Sequence, residues 1–139
     1  SRLHKKIVDK GLATSLFMYD FPFKDSGLFI TYAFLTPDTP NQDVEDIILS
    51  EYTDIITNGI TEEEIKRAIA QTRATVAFSR DGSYAVASAL NEAIAIGDWE
   101  FYTTFLQKIE SVTTNDIQSI AKQYLIEDQS TTGWFIPKQ

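Results

Sequence analysis

Apolar positions recur along the chain first at a helical spacing, then at a spacing of two, and then at a helical spacing for most of the remainder. Leu3, Ile7 and Val8 share one side of a short helix predicted over 1–10, which Gly11 can end. From Ala13 to Phe21 the period becomes two. Ser15, Phe17, Tyr19 and Phe21 alternate with Thr14, Leu16, Met18 and Asp20, the mark of a strand. Turn residues crowd the stretch from Pro22 to Gly27, and Gly27 to Leu35 reads as a second strand, so the pair predicts an antiparallel hairpin. Leu28, Phe29 and Ile30 are consecutive, which predicts a strand apolar on both faces and central in its sheet. The stripe Phe17, Tyr19 and Phe21 is expected in the core rather than on a peptide-binding face, because alternation ordinarily marks the half-buried side of a sheet.

Pro37 and Pro40 break the chain, since proline lacks an amide donor and fixes φ, and a helix should follow with Pro40 in its first turn. Val44, Ile47, Ile48, Tyr52, Ile55 and Ile56 fall at helical spacing up to the stop at Asn58-Gly59. Thr61 with Glu64 forms a capping box, and the acidic run 62–64 suits the positive end of a helix dipole. That helix carries Ile65, Ala68, Ile69, Thr72, Val76 and Ala77 and runs to about Ser79. Asp81-Gly82-Ser83 is a predicted break before an Ala-rich helix from Tyr84 to Ile96, stopped by Gly97. Asp98 can cap a helix to about Ile109 with Trp99, Tyr102, Phe105 and Leu106 inward. Thr113 with Asp116 caps a last helix carrying Ile117, Ile120, Ala121 and Tyr124, and 131–136 reads as a final strand ended by Pro137.

Strands and helices are segregated along the chain, which argues for an α+β fold: a small, mainly antiparallel sheet covered on one face by several helices. Three strands are few for so many helices, so further strand is expected from sequence before Ser1 or from a partner.

Composition narrows the chemistry. The 139 residues fit one domain, and 43% hydrophobic content with nine Phe, six Tyr and two Trp can build a core. A net charge of −8 repels nucleic acid on average, and ordinary solubility is the expected use of that acidity. With no Cys, disulfides, thiolate metal sites and thiol catalysis are excluded. No apolar run approaches a membrane span of roughly 20 residues, and no signal peptide is visible. The start at Ser1, without Met, suggests an excised or processed piece. Compartment stays open between bacterial cytoplasm and periplasm.

His4 is the single histidine and is expected to be an exposed surface residue, because a metal site needs several convergent ligands. A two-His zinc motif cannot be written with one His, and no G-x-S-x-G, Walker loop or G-x-G-x-x-G occurs. The carboxylates at 62–64 are explained by helix capping, and Glu127-Asp128 by a solvated loop. Arg2, Lys5, Lys6 and Lys10 form a local basic cluster, ordinarily a solvated helix face and otherwise a contact for peptide or phosphate. No residue is a candidate for catalysis or for binding a metal.

An ordered set of short segments resembles the C-terminal, non-catalytic domain of the pitrilysin/insulinase zinc peptidases. Ser1-Arg2-Leu3 with Gly11-Leu12-Ala13-Thr14-Ser15 looks like that family's S-R-L…G-L-A-x-S, and Asp25 to Phe29 resembles the strand that follows. Gly59 to Ile65 is similar to G-[VI]-T-x-x-E-[LI], with Arg67-Ala68 as its next turn. Ile109 to Thr113 with Asp116-Ile117, then Ala121 to Leu125, resembles the closing I-x-x-V-T-x-x-D-[IV] and A-x-x-Y-L. The matches span nearly the whole chain in order.

The resemblance implies a mitochondrial-processing-peptidase-like half domain, residues 1–139 being one C-terminal-type domain that lacks its first strand and helix. It implies a parent zinc metalloendopeptidase whose homologous half carries H-x-x-E-H and the zinc, while this half holds no cofactor, is inactive alone, docks on the catalytic half and encloses peptide substrate. The family's substrate-contacting Arg and the Tyr of G-L-x-Y fall here on Ile7 and Thr14, a departure that leaves Thr14, with Lys10 of the basic cluster, as the candidate substrate contacts. A missing strand would leave a sheet edge open to self-association. The alternatives are a structural or assembly subunit of the same fold and an unrelated α+β binding module.

Overall fold

The computed structural model describes residues 1–79 and 82–136, so the predicted break at Asp81 and the stop at Pro137 lie outside the described residues. The chain forms two compact units. One comprises Ser1–Met18, Thr31–Gly59 and residues from Ile117 onward; the other comprises Tyr19–Ile30 and Ile60–Asp116. The secondary structure is α+β, with one two-stranded sheet of β1 (Ala13–Phe21) and β2 (Leu28–Leu35) and with helices α1 (Asn41–Asn58), α2 (Glu62–Ser79), α3 (Ser83–Ala95), α4 (Phe101–Glu110) and α5 (Thr114–Tyr124).

The first unit begins with a π-helical turn over His4–Val8 rather than an ordinary α-helix. Asp9 N–H donates to His4 O at 3.0 Å and Leu12 N–H to Ile7 O at 3.0 Å, five-residue steps that widen the turn. The wide turn aims Leu3 and Ile7 at Ala13 of β1 and Val44 of α1, and these four form the buried centre. Leu12, Leu16, Ala33, Leu35, Ile47, Ile48 and Tyr52 pack around it. Ile7 is 0% exposed. Thr31 and Tyr52 share a hydrogen bond of 2.5 Å between their hydroxyls, which joins β2 to α1. Burial pushes the Tyr52 phenol above its ordinary pKa, partly offset by that bond.

Two charged contacts tie the π-turn to α1. Arg2 Nη1 donates to Asp54 Oδ2 at 2.6 Å, and Lys6 Nζ pairs with Glu51 Oε1. The side chain of Glu51 is 4% exposed, so Lys6 neutralises a carboxylate withdrawn from water. α1 ends where predicted: Gly59 has φ 73°, a conformation costly to any residue with a Cβ, and its N–H donates to Ile55 O at 2.9 Å. The Gln118 amide of α5 caps the same terminus, donating to Ile56 O at 3.0 Å and Thr57 O at 3.1 Å. Pro40 lies just before the helix in extended backbone rather than inside its first turn.

In the second unit α4 packs with both α2 and α3. Ile65 and Ala93 are its buried residues among those described. Local signals set its helix ends. Glu64 N–H donates to Thr61 Oγ1 at 3.2 Å while Thr61 N–H donates to Glu64 Oε2 at 2.9 Å, the reciprocal capping box read from the sequence. Thr113 and Asp116 repeat the pattern at 2.9 and 3.2 Å. Asp98 Oδ1 accepts from Phe101 N–H at 3.2 Å. In the hairpin turn, a Cβ on Gly27 would sit 3.0 Å from Phe21 O, so only glycine fits without a shift.

Several expectations need correction. Phe17, Tyr19 and Phe21 are 45%, 48% and 42% exposed and are not a core stripe. β2 is one of a pair rather than central among the described strands, and only its Thr31, Ala33 and Leu35 side is turned inward, leaving Tyr32 and Phe34 exposed. Alternation identifies two faces of a strand; it does not say what covers each. Trp99 is exposed rather than inward, as are Ile120 and Tyr124 of α5. Residues 131–136 form no strand, because among the described residues no backbone hydrogen bond joins them to a neighbour.

Candidate functional site

The candidate contacts Lys10 and Thr14 lie on either side of the junction where the π-turn feeds β1, and both are exposed. Gly11 N–H closes the turn on Val8 O at 2.9 Å, and Thr36 N–H donates to Leu12 O at 3.1 Å, so the backbone between the two residues is fixed at both ends. The Thr14 hydroxyl donates to Phe34 O of β2 at 3.1 Å, which commits its proton to the sheet. The Thr36 hydroxyl donates to Gly11 O at 3.0 Å. This corner offers a methyl, a hydroxyl lone pair and a lysine ammonium, and no activated nucleophile or base.

The basic cluster divides. Arg2 and Lys6 turn to Asp54 and Glu51 of α1, while Lys5 and Lys10 remain exposed at the surface. The reading of the cluster as one solvated face missed this division. The signal lay in two acidic residues of α1 at i and i+3, Glu51 and Asp54, which share a helix face and can meet cations from a neighbouring element.

Position seven before Thr14 is Ile7, buried at the unit's centre, so no side chain there reaches a ligand. His4 Nδ1 lies 3.1 Å from Asp9 Oδ1, with both side chains about half exposed. Among the described residues no three His, Cys, Asp or Glu side chains converge as metal ligands, and a lone His–Asp pair does not fit zinc, which takes three or four protein ligands. No chemical step through a metal can therefore be assigned to these residues. No helix among those described is long and apolar enough to cross a membrane.

Comparison with known proteins places the chain among peptidase-like folds. The family profile described as the peptidase M16 inactive domain matches residues 1–72. An uncharacterized zinc protease of Streptomyces coelicolor is 30% identical over 127 residues, covering 90% of this chain and 28% of that protein. The mitochondrial-processing peptidase subunit beta of Neurospora crassa is 28% identical over 127 residues, covering 88% of this chain and 26% of that protein. The chain thus spans little more than a quarter of the curated relatives it matches. Among solved structures, the inactive peptidase domain of a protein assigned as a zinc protease of Bordetella parapertussis superposes with a TM-score of 0.87 at 25% identity, covering 100% of this chain and 74% of that one.

Proposed function

The chain belongs to the peptidase M16 inactive-domain family, and from that premise we propose that it serves as the non-catalytic half of a zinc-dependent metallopeptidase, docking on a homologous catalytic half and enclosing peptide substrate. The observation that carries this reading is an inactive-domain fold over the whole chain, beside which no donor set among the described residues fits zinc. The hydrolytic metal would belong to the catalytic half. What this half contributes is enclosure: walls that hold an extended peptide and keep bulk water from it.

In the same reading residues 1–139 are a piece of one C-terminal-type domain, completed by a further strand and helix. Two observations support this: the hairpin side bearing Tyr32 and Phe34 is exposed, and the Bordetella domain contains a further quarter of chain. Lys10 and Thr14 are proposed as rim contacts for the substrate, the ammonium of Lys10 toward a carboxylate or carbonyl and the Thr14 methyl toward an apolar side chain.

The test is reconstitution. The H-x-x-E-H-bearing half of the same protein is purified separately and assayed on an unfolded peptide with and without this chain. Cleavage that appears, or rises at least about ten-fold, only when both are present is the expected result, since misplacing substrate at an enclosed site is costly on that scale. Full activity of the catalytic half alone, unchanged by this chain, would overturn the proposal.

A further inference from the structure

Residues 131–136 and the first half of α1 border an open groove of about 460 Å³, lined by Glu45, Thr132, Trp134 and Ile136, all within the first unit. Three features of its lining bear on what it holds. Trp134 Nε1–H donates to Glu45 Oε2 at 3.0 Å, which fixes both the indole plane and the carboxylate and leaves Oε1 with no hydrogen bond among the described residues. No basic side chain among the described residues pairs with Glu45, whereas Glu51 on the same helix has Lys6. Residues 131–136 belong to no helix or strand and, among the described residues, their backbone makes no hydrogen bond to another segment, so their amides and carbonyls have pairing capacity to spare.

We propose that this groove is a docking site for an extended segment of polypeptide carrying a lysine or arginine side chain. The guest's backbone pairs with 131–136 as an added strand, its apolar side chains meet Ile136, and its cation lies over the Trp134 indole against Glu45. Charge chooses this occupant. An indole beside a carboxylate that has no cation partner among the described residues attracts an ammonium or guanidinium group and disfavours an acidic side chain, and the chain's net charge of −8 steers in the same direction. Backbone pairing supplies affinity without regard to sequence; Glu45 and Trp134 supply the preference. The groove's lining includes neither Lys10 nor Thr14, and the inference does not depend on a catalytic half.

The 139-residue chain has two tryptophans. With Trp99→Phe, Trp134 alone reports by fluorescence. The probe is a capped heptapeptide of alternating valine and lysine, compared with its valine–glutamate counterpart. Saturable binding of the lysine peptide is expected, with slowed amide exchange at 132–136 and none of this with the glutamate peptide. Glu45→Gln should weaken binding about ten-fold through loss of one charge-assisted contact. Asp46→Asn, next along the same helix, should leave the Kd within about two-fold as a control for general electrostatics. No saturation, equal binding of both peptides, or a Glu45→Gln variant that binds as the parent does would each overturn the proposal.

Discussion

Each of the two compact units owes its internal cohesion to different physics. In the first, residues distant in sequence meet: Leu3 and Ile7 from the π-turn, Ala13 from β1 and Val44 from α1, with Arg2–Asp54 and Lys6–Glu51 as charged ties across the same elements. In the second, the defining contacts are local. Each of two helices opens with a reciprocal cap spanning three residues, and a third uses Asp98, while Ile65 and Ala93 are its buried side chains among those described. The contrast teaches that the first unit should fail when one buried group is removed, whereas the second should lose stability in small, separable steps.

The largest effect is expected at Ile7. Ile7→Ala removes the most buried side chain and leaves a cavity, a loss of about 3 kcal/mol. Urea unfolding should show the midpoint falling for the first unit. Next is Lys6→Met, which leaves Glu51 buried without its cation and should destabilise by roughly 1–2 kcal/mol. Lys6→Met,Glu51→Gln together should recover part of that loss, and a double variant worse than the sum of the singles would break the assignment. Smaller still is Thr61→Ala, which removes one cap from α2 at about 1 kcal/mol. Amide exchange should rise near the start of α2 while the amides around Ile7 stay protected.

The smallest effect concerns pH. Hydrogen bonds from the Thr113 hydroxyl, and then from the Thr113 backbone, hold Asp116 below its ordinary value of 3.8. A lowered folded-state pKa means that the cap's contribution is present above the ordinary value and is lost as pH falls through the lowered one. Carboxyl NMR should find Asp116 titrating below the ordinary range, and Thr113→Ala should return it toward 3.8. A titration unmoved by that substitution would show that the cap is not the cause.

The same contrast explains what could be read in advance. Both capping boxes, the Gly59 stop and the limits of β1 are set by neighbours in sequence and were legible there. The pairing of Lys6 with Glu51 joins residues 45 apart, and the i, i+3 spacing of Glu51 and Asp54 hints at a cation without naming which one. The exposure of Phe17, Tyr19 and Phe21 was hidden for a related reason: a stripe of aromatics requires a cover, and the cover is specified elsewhere. Residues 131–136 have strand-like composition, yet a strand exists only with its neighbour. At the candidate site, the sequence named Lys10 and Thr14, but not that the Thr14 hydroxyl already serves the Phe34 carbonyl, nor that Glu45 and Trp134 meet across 89 positions.

The central claim is that this chain contributes enclosure and not metal chemistry. Its most direct test is zinc stoichiometry by native mass spectrometry of the purified chain, read beside hydrolysis of an unfolded peptide with zinc supplied. The account predicts no stoichiometric zinc and no cleavage. One tightly held zinc per chain, with metal-dependent cleavage that disappears in His4→Ala, would contradict it.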